Sequence, residues 1–261
     1  HEIGKNWYDY LCDKGVNFKW ETKVINIDFK GEYVDLDNTL EPLSYDRLIF
    51  GVGKSGIDFG KQLADQYELP TEPKSVQIGV RFEAPQHHFQ KLIDVSYDFK
   101  LYRKFEDKGV SLRSFCTNNN AAYVAVEETY GDISYNGHAR KDERYRNDMT
   151  NFGILMEIKG IEEPFTWSRE LVKKCQAGLT NTDNPIDFKT TGLYYSPTRS
   201  IGITSEGTKI NAIQIPNLNL VKEAFQGYYS YIDDFIDGMK KIFPTLGDDW
   251  GVYIPEVKYL S

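Results

Sequence analysis

A short apolar run that leads directly into three glycines constrains this chain more than any other feature. Residues 45–50 end in three contiguous apolar side chains, which predicts a short buried strand. Gly51, Gly53 and Gly56 follow at once, so the backbone there can turn sharply and approach another group with no Cβ between them. In α/β sheets a nucleotide binds at the carboxyl ends of such strands. A simpler interpretation, a strand that ends in an ordinary glycine turn, fits the same residues.

The letters of residues 51–56 also match the pattern G-x-G-x-x-G. In a dinucleotide-binding unit this pattern opens a βαβ unit and has an acidic partner about 20 residues further on. Here it follows a meander strand, and no acid stands in that context. The sequence contains no G-x-x-x-x-G-K-[ST] motif either.

Charge and composition exclude several classes of partner. The 261 residues carry a formal net charge of −8, which disfavours a nucleic-acid partner. No apolar run approaches the roughly 20 residues needed to cross a bilayer, so we expect no membrane partner. Cys12, Cys116 and Cys175 are too widely spaced to indicate a disulfide framework or a zinc site. We therefore expect no metal and a reducing, cytoplasmic localisation.

The first 56 residues resemble half of a larger unit. A helix is predicted over residues 3–14, and strands are predicted over 17–20, 22–29 and 33–36. The strand at 45–50 then closes this part of the chain. So few core positions would hardly support an independent fold. A second helix is predicted over residues 57–67, before a proline-containing boundary at 69–73.

Beyond that boundary the hydrophobic period changes to two. Residues 76–82 alternate apolar with polar or glycine positions, which predicts a strand with one apolar and one polar face. A helix is predicted to start at Pro85. Further strands are predicted over residues 98–105, 110–116, 122–128, 133–136 and 152–158. This spacing indicates an antiparallel sheet or partial barrel with helices, in the α+β class.

The last third of the chain alternates between helices and irregular sequence. A helix is predicted over residues 165–179, and an irregular Thr- and Pro-rich passage over 180–208. Apolar residues at three- and four-residue steps predict one helix over residues 218–242, packed on its own sheet. The alternative is that this helix serves as an association surface. A final strand is predicted over 252–257, which Pro255 would confine to a sheet edge or interrupt.

Four polar features are candidates for chemistry, each with a simpler explanation. The adjacent His87 and His88 are expected to point in different directions, so a shared metal ion is not expected. Cys116 ends a predicted strand and would face a cofactor or substrate, or be a half-buried small hydrophobe. Arg81 and Glu83 share the polar face of their strand, where a substrate contact and a mutual surface pair are both compatible with the pattern.

The fourth feature is a polar turn over residues 136–140. It would supply His138 as a proton donor and Arg140 as an anion clamp. The simpler explanation is that both side chains are only solvated.

Six segments of the chain form an ordered set of short motifs. They read H-E-I-G at residues 1–4, G-V-N-F-K-W-E-T-K-V at 15–24, Y-D-R-L-I-F-G-V-G-K-S-G at 45–56, G-V-R-F-E-A-P-Q at 79–86, S-F-C at 114–116 and N-G at 136–137. In this order they resemble the uncharacterised FAD-dependent dehydrogenases, a family of two-domain flavoproteins related to glutathione reductase. The match at residues 79–86 is the most distinctive.

The resemblance implies a protein that binds FAD non-covalently and moves a hydride or electron pair through it, with a small-molecule substrate and NAD(P)H as a candidate reductant. It implies that Val24 meets the adenine through its backbone and that Gly51, Val52 and Gly53 pass near the adenosine. The implied flavin-facing substrate wall consists of Arg81, Ser114, Cys116, Asn136, His138 and Arg140. Three asparagines follow Cys116, where the family has a proline- and glycine-rich turn.

The resemblance also implies a division of the chain into three parts. Residues 1–56 and a return strand at 246–261 would belong to an incomplete FAD-binding α/β domain, and residues 57–245 would be a substrate domain inserted into it. We therefore expect the chain to be the middle of a longer polypeptide and to bind FAD poorly alone. The alternative function is a ligand- or protein-binding module without redox chemistry.

Overall fold

The fold was obtained as a computed structural model, in which the chain forms two compact units. The first unit comprises His1–Val52 and Asp58–Leu69, and the second comprises Gly53–Ile57 and Pro70–Ser261. The structure describes residues 2–72, 74–129, 132–177, 191–197, 211–215 and 218–258. Within these ranges, no helix combines the length and the apolar character needed to cross a membrane.

The first unit is a small antiparallel sheet with helices. Its elements are α1 (Glu2–Asp13), β1 (Val24–Asp28), β2 (Tyr33–Leu36), β3 (Leu43–Ser44) and α2 (Ile57–Gln66), and the strands pair in the order β1-β2-β3. The Asp28 carboxylate accepts hydrogen bonds from the backbone N–H groups of Lys30 and Gly31, which forms the tight turn between β1 and β2. Ile27, Val34, Leu36 and Leu63 form the core of the unit.

Two strands predicted in the first unit are absent. Only Leu43–Ser44 pairs with β2, and residues 45–50 and 17–20 form no strand. Ile49 is 94% exposed, so the contiguous apolar run is not buried. A contiguous apolar run forms a buried strand only where packed elements cover both of its faces. Among the described residues no element covers both faces of this run, since Leu48 and Phe50 are exposed as well. None of the α1 side chains is buried either.

The second unit is built on a seven-stranded sheet. In spatial order its strands are β11 (Asn211–Gln214), β10 (Thr191–Tyr195), β12 (Gly251–Lys258), β4 (Val76–Pro85), β9 (Met149–Ile158), β6 (Val110–Asn118) and β5 (Tyr102–Phe105). All neighbours are antiparallel except β10 and β11, which are parallel. The predicted α+β class with an antiparallel sheet is therefore confirmed.

One face of this sheet carries the apolar core. The apolar positions of β4 alternate as predicted, and they pack with those of β6, β9 and β12 against helices. The helices of the second unit are α3 (Gln90–Ile93), α4 (Pro164–Ala177), α5 (Leu218–Ala224) and α6 (Tyr229–Ile242). A two-stranded antiparallel sheet, β7 (Ala122–Thr129) and β8 (Asp132–Ala139), packs through its own small apolar cluster on Tyr194 and Tyr253. The described strands form no closed barrel.

The predicted single helix over residues 218–242 is two helices. Gln226 and Gly227 have φ angles of 52° and 86°, in the left-handed region that a continuing helix cannot use. Phe225 and Ile232 are completely buried in the core, so the apolar line packs on its own sheet as predicted. Phe225 and Ile232 are therefore not available to an association surface, whereas Ile242 at the end of this line is 65% exposed. The alternative of an association surface stays a prediction.

The final strand lies in the interior of the seven-stranded sheet. β12 pairs with β10 on one side and β4 on the other, and its register with β4 shifts between Tyr253 and Glu256, where Pro255 stands. Of the two predicted effects of Pro255, interruption is therefore the one observed. By its hydrogen bonds β12 belongs to the same sheet as β4, and the assignment of residues 246–261 to a FAD-binding domain stays a prediction.

Gly79 is expected to be indispensable for the pairing of β4 with β9. A Cβ built on Gly79 overlaps the backbone carbonyl of Ile154, which cannot move without displacing β9. We expect Gly79→Ala to lower the free energy of unfolding by at least about 2 kcal/mol, as overpacked cores do. Gly247→Ala is the matched control, because nothing lies within 4 Å of its Cβ. Denaturant unfolding that gives the two variants equal midpoints would contradict this account.

Candidate functional site

A cluster of charged and polar side chains is buried on the face of the sheet opposite the core. Arg81 and Glu83 project from β4 on this face, and both are 0% exposed. Asn151 of β9 lies opposite Glu83 in register, and Tyr253 of β12 lies opposite Arg81. Glu256, on the same strand as Tyr253, is also buried. Together these five residues define what we call the Arg81 cluster.

The Arg81 guanidinium connects three separate segments of the chain. Its Nη1 donates to the carbonyl oxygens of Phe115 and Cys116, at 3.4 and 3.3 Å, and its Nη2 donates to Asn136 Oδ1 at 3.2 Å. Nη1 also lies 3.7 Å from Glu256 Oε2. The planar fork of an arginine makes several such bonds at fixed angles, which a lysine cannot reproduce.

Two glycines provide the space that these side chains occupy. A Cβ on Gly137 would overlap Arg81 Nη2 and Asn151 Oδ1, and a Cβ on Gly153 would lie 2.7 Å from Glu256 Oε2. The backbone of β8 can therefore come close to the guanidinium only because residue 137 has no side chain. This explains physically the Asn-Gly pair at residues 136–137.

The electrostatics of the cluster favour a protonated Glu83. Burial raises the pKa of Glu83 to about 8, although the nearby Arg81 guanidinium and Tyr253 hydroxyl act in the opposite direction. Burial also raises the pKa of Glu256, again opposed first by Arg81. With Glu83 neutral, the ion pair of the Arg81 guanidinium is the one with Glu256, whose Oε2 lies 3.7 Å from Nη1. The same burial raises the pKa of Tyr253 well above its ordinary value, so its hydroxyl keeps its proton.

Several polar atoms of the cluster lack a hydrogen-bond partner of normal geometry within the described ranges. Arg81 Nε, Asn151 Nδ2 and the carboxyl oxygens of Glu256 are buried and form no hydrogen bond of normal geometry among the described residues. The Tyr253 hydroxyl and the Glu83 carboxyl group are also buried, and each of these two groups shifts the pKa of the other. Buried polar atoms in proteins usually have partners.

Cys116 lies at an irregular point of β6, next to the cluster. Its φ angle is 52°, and the register of β6 with β9 shifts between Phe115 and Asn118. Its thiol is half-buried, 4.0 Å from the Gly137 carbonyl and 3.9 Å from Asn118 Nδ2.

The asparagines after Cys116 hold this part of β6 in place. Asn118 Nδ2 donates to the Cys116 carbonyl at 3.0 Å and to Asn151 Oδ1 at 3.2 Å, and Asn119 Nδ2 donates to the Tyr97 carbonyl at 2.8 Å. Sequence reasoning treated these asparagines as a departure from the family pattern and missed their structural role. The signal available was three consecutive amides at the end of a strand, where side chains commonly bond to backbone.

Three predicted site residues lie elsewhere. Ser114 is buried on the core side of β6, where its Oγ accepts from the Leu101 N–H and donates to the Phe99 carbonyl, so a role in the substrate wall does not fit its position. His138 stacks on Tyr123 with ring centroids 5.3 Å apart. Arg140 lies over the rings of Tyr123 and Tyr145, at 5.2 and 4.0 Å. No contact joins His138 or Arg140 to the Arg81 cluster in the part of the chain that is described.

Of the residues predicted to meet a nucleotide, Gly51, Val52 and Gly53 are exposed, whereas Val24 is half-buried against the core of the first unit. Val24 begins β1, which is an edge strand of its three-stranded sheet. Nothing in the described chain lies within 4 Å of a Cβ built on Gly51 or Gly53, and Gly53 has a φ angle of 61°. Val52 is exposed. The strand that was expected to lead into these glycines is absent, as described above, so the bare backbone belongs to an irregular segment.

Glu83 is expected to make the stability of the chain depend on pH. Its pKa in the folded state is raised from 4.5 to about 8. The contribution of the protonated Glu83 to the free energy of unfolding is therefore fully present below about pH 4.5 and is lost as the pH rises to about 8. Since a shift of one pKa unit corresponds to about 1.4 kcal/mol, we expect the free energy of unfolding of the wild type to fall by a few kcal/mol over this pH range. Glu83→Gln should abolish this fall. The measurement is the free energy of unfolding of the wild type and of Glu83→Gln at several pH values between 5 and 8.5.

The control for that experiment is Glu106→Gln, which removes a carboxylate from an exposed 3₁₀ turn (Glu106–Lys108). Its pH dependence should parallel that of the wild type, because all other titrating groups are shared. Parallel curves for the wild type and Glu83→Gln would show that the Glu83 carboxyl is not held in its neutral form.

Comparison of the sequence with protein-family models and with curated proteins finds no match. The interpretation of this site therefore rests on its geometry and on the resemblance of its motifs.

Proposed function

We propose that this chain contains the substrate domain, and part of the FAD-binding domain, of an FAD-dependent oxidoreductase. The enzyme would move a hydride or electron pair through a non-covalently bound flavin, between a small-molecule substrate and a partner such as NAD(P)H. In this proposal the first unit belongs to the FAD-binding domain, and the seven-stranded sheet with its covering hairpin is the core of the substrate domain. The proposal thus assigns β12 to the substrate domain, although the resemblance implies that residues 246–261 return to the FAD-binding domain.

One observation carries the proposal: three of the segments that resemble the family meet at one side chain. Arg81 comes from the motif at residues 79–86, and its guanidinium binds the 114–116 segment through the Phe115 and Cys116 carbonyls and the 136–137 segment through Asn136. These segments are far apart in sequence. Their convergence on a buried charge supports the view that the motifs mark one site.

The residues present fit the adenosine part of FAD. A nucleotide that approaches the backbone needs glycines whose Cβ positions are open, and Gly51 and Gly53 meet this condition. An edge strand such as β1 offers backbone groups on its outer side, where the resemblance puts the contact of Val24 with the adenine. When bound, FAD would supply the electron-accepting isoalloxazine ring.

The residues of the chain itself would hold the ligand-binding segments in place and carry a proton. Arg81 is fully buried, so it acts as a positioning residue that fixes the Cys116 and Asn136 segments rather than touching a substrate. Cys116 and Asn136 are only half-buried and remain candidates for contact with a ligand. Burial raises the pKa of Glu83 to about 8, so a protonated carboxyl group lies beside Arg81 on the same face of β4.

The first test is the cofactor content of the full-length gene product. We expect it to be purified with FAD, identified after denaturation, and Gly51→Ala to weaken FAD binding at least tenfold because the new methyl group separates the backbone from the nucleotide. Gly51→Ala should not change the thermal stability of the FAD-free protein, since its Cβ meets nothing in this chain. Isothermal titration with FAD gives the affinities.

Gly4→Ala is the matched control, because its Cβ also meets nothing and it lies in the same unit. A full-length protein that neither contains FAD nor binds it would overturn the proposal and favour a binding module without redox chemistry. Equal FAD affinities for Gly51→Ala and Gly4→Ala would remove residues 51–53 from the nucleotide site.

A second test addresses the positioning role of Arg81. We expect Arg81→Lys in the full-length flavoprotein to keep its FAD but to reduce the rate of flavin reduction by NAD(P)H at least tenfold, because small misplacements of a site are costly in rate. Arg113→Lys, on the neighbouring strand β6, is the control. Stopped-flow reduction measures both, and equal rates would contradict the assigned role of Arg81.

A further inference from the structure

A second group of polar side chains lies beyond the end of β4. His87 and His88 occupy a 3₁₀ turn (Gln86–Phe89), and Asp249 lies in the loop between α6 and β12. One ligand atom from each of the three residues lies within 4.8 Å of the other two. The two imidazole rings have centroids 3.9 Å apart, so the expectation that these neighbours point in different directions is wrong.

His88 is held in an orientation typical of metal-binding histidines. It is buried, with Nδ1 2.9 Å from Thr245 Oγ1 and Nε2 2.6 Å from Asp249 Oδ2. A histidine that binds a metal through one ring nitrogen usually donates the other N–H to a fixed oxygen. The Thr245 hydroxyl is such an oxygen, and Nε2 is directed toward the remaining members of the group.

The other two members have unused ligand capacity. Asp249 Oδ1 is buried and has no hydrogen-bond partner among the described residues. The His87 ring is exposed and forms no hydrogen bond with any described part of the chain. A buried carboxylate oxygen without a donor is unfavourable unless a cation or another donor approaches it.

We propose that His87, His88 and Asp249 bind one divalent first-row transition ion, with Zn²⁺ as the representative case. Two imidazoles and a carboxylate suit such an ion, whereas Mg²⁺ and Ca²⁺ prefer oxygen ligands alone. Bonds of about 2.0–2.1 Å place tetrahedral ligands about 3.4 Å apart. The distance of 2.6 Å between His88 Nε2 and Asp249 Oδ2 must therefore lengthen to admit the ion. The exposed His87 side chain must rotate toward the ion, and the fourth position is left to water.

The protons balance once solvent is included. His88 would bind the ion as the neutral tautomer with its single N–H on Nδ1, which donates to Thr245 Oγ1, while Nε2 gives its lone pair to the ion. A proton that lies on Nε2 before binding leaves to solvent. Coordination thus joins the turn that follows β4 to the loop that precedes β12. This site lies outside the Arg81 cluster, and its existence does not depend on the proposed function.

Calorimetric titration of the untagged, EDTA-treated chain with ZnCl₂ tests the proposal. We expect one Zn²⁺ per chain with a dissociation constant of about 10 µM or lower, and at 100 µM Zn²⁺ a rise in the unfolding temperature, because the ion binds the folded state. His87→Gln should weaken binding at least tenfold and abolish the rise. Because His87 is exposed, this variant should fold normally, which circular dichroism checks.

His138→Gln is the matched control, since it removes a histidine from a different part of the second unit. It should bind Zn²⁺ as the wild type does, and Asp249→Asn should bind more weakly than the wild type. MgCl₂ should give no heat of binding. The proposal is overturned if the wild type binds no stoichiometric Zn²⁺ at 100 µM, or if His87→Gln and the wild type have equal affinities.

Discussion

The ion pair of Arg81 with Glu256, in the middle of a sheet, is the constraint that organises the polar face of the second unit. A charge buried without a partner costs several kcal/mol, so the guanidinium must be compensated by groups around it. Two backbone carbonyls and Asn136 Oδ1 accept its hydrogen bonds. The backbone irregularity of β6 at Cys116 turns the Cys116 carbonyl toward it. The missing side chain at Gly137 leaves room for it.

The two faces of the seven-stranded sheet therefore serve different purposes. One face packs against helices through aliphatic and aromatic side chains, and this apolar burial provides most of the stability. The other face holds the Arg81 cluster under β7 and β8, where a low dielectric strengthens each polar contact. Because side chains alternate along a strand, β4 contributes to both faces at once. A site built this way sits on a rigid element rather than on a loop.

The sequence predicted the elements with strong local signals and failed where tertiary context decides. The alternation of apolar residues along β4 was confirmed. β10 was missed, because it lies in the passage over 180–208, whose sequence shows no clear period and of which the structure describes 191–197. The apolar run at 45–50 was predicted to be buried because its apolar residues are contiguous. Contiguity does not show which other elements pack against a segment, so the prediction was wrong. The interruption at Gly227 was missed because the apolar spacing continues across it.

The same distinction applies to the site. The motifs found Arg81, Cys116 and Asn136, since each lies in a distinctive local pattern. Asn151 and Glu256 were missed, because strand register alone brings them to Arg81 and register cannot be read from a single strand. A signal for Glu256 did exist, however. A carboxylate within an otherwise apolar strand must find a partner when that strand is buried.

The two polar groups of the second unit share the same pair of strands. β4 carries Arg81 and Glu83 and runs directly into the turn with His87 and His88, while Asp249 stands two residues before β12 begins. In register, Glu83 lies opposite Gly251, so this end of the strand pair is close to the proposed metal ligands. An ion bound there would link β4 and β12 at the end of the strand pair that positions the Arg81 cluster. It would thereby resist the local opening through which water reaches Glu83, since opening must separate these strands first.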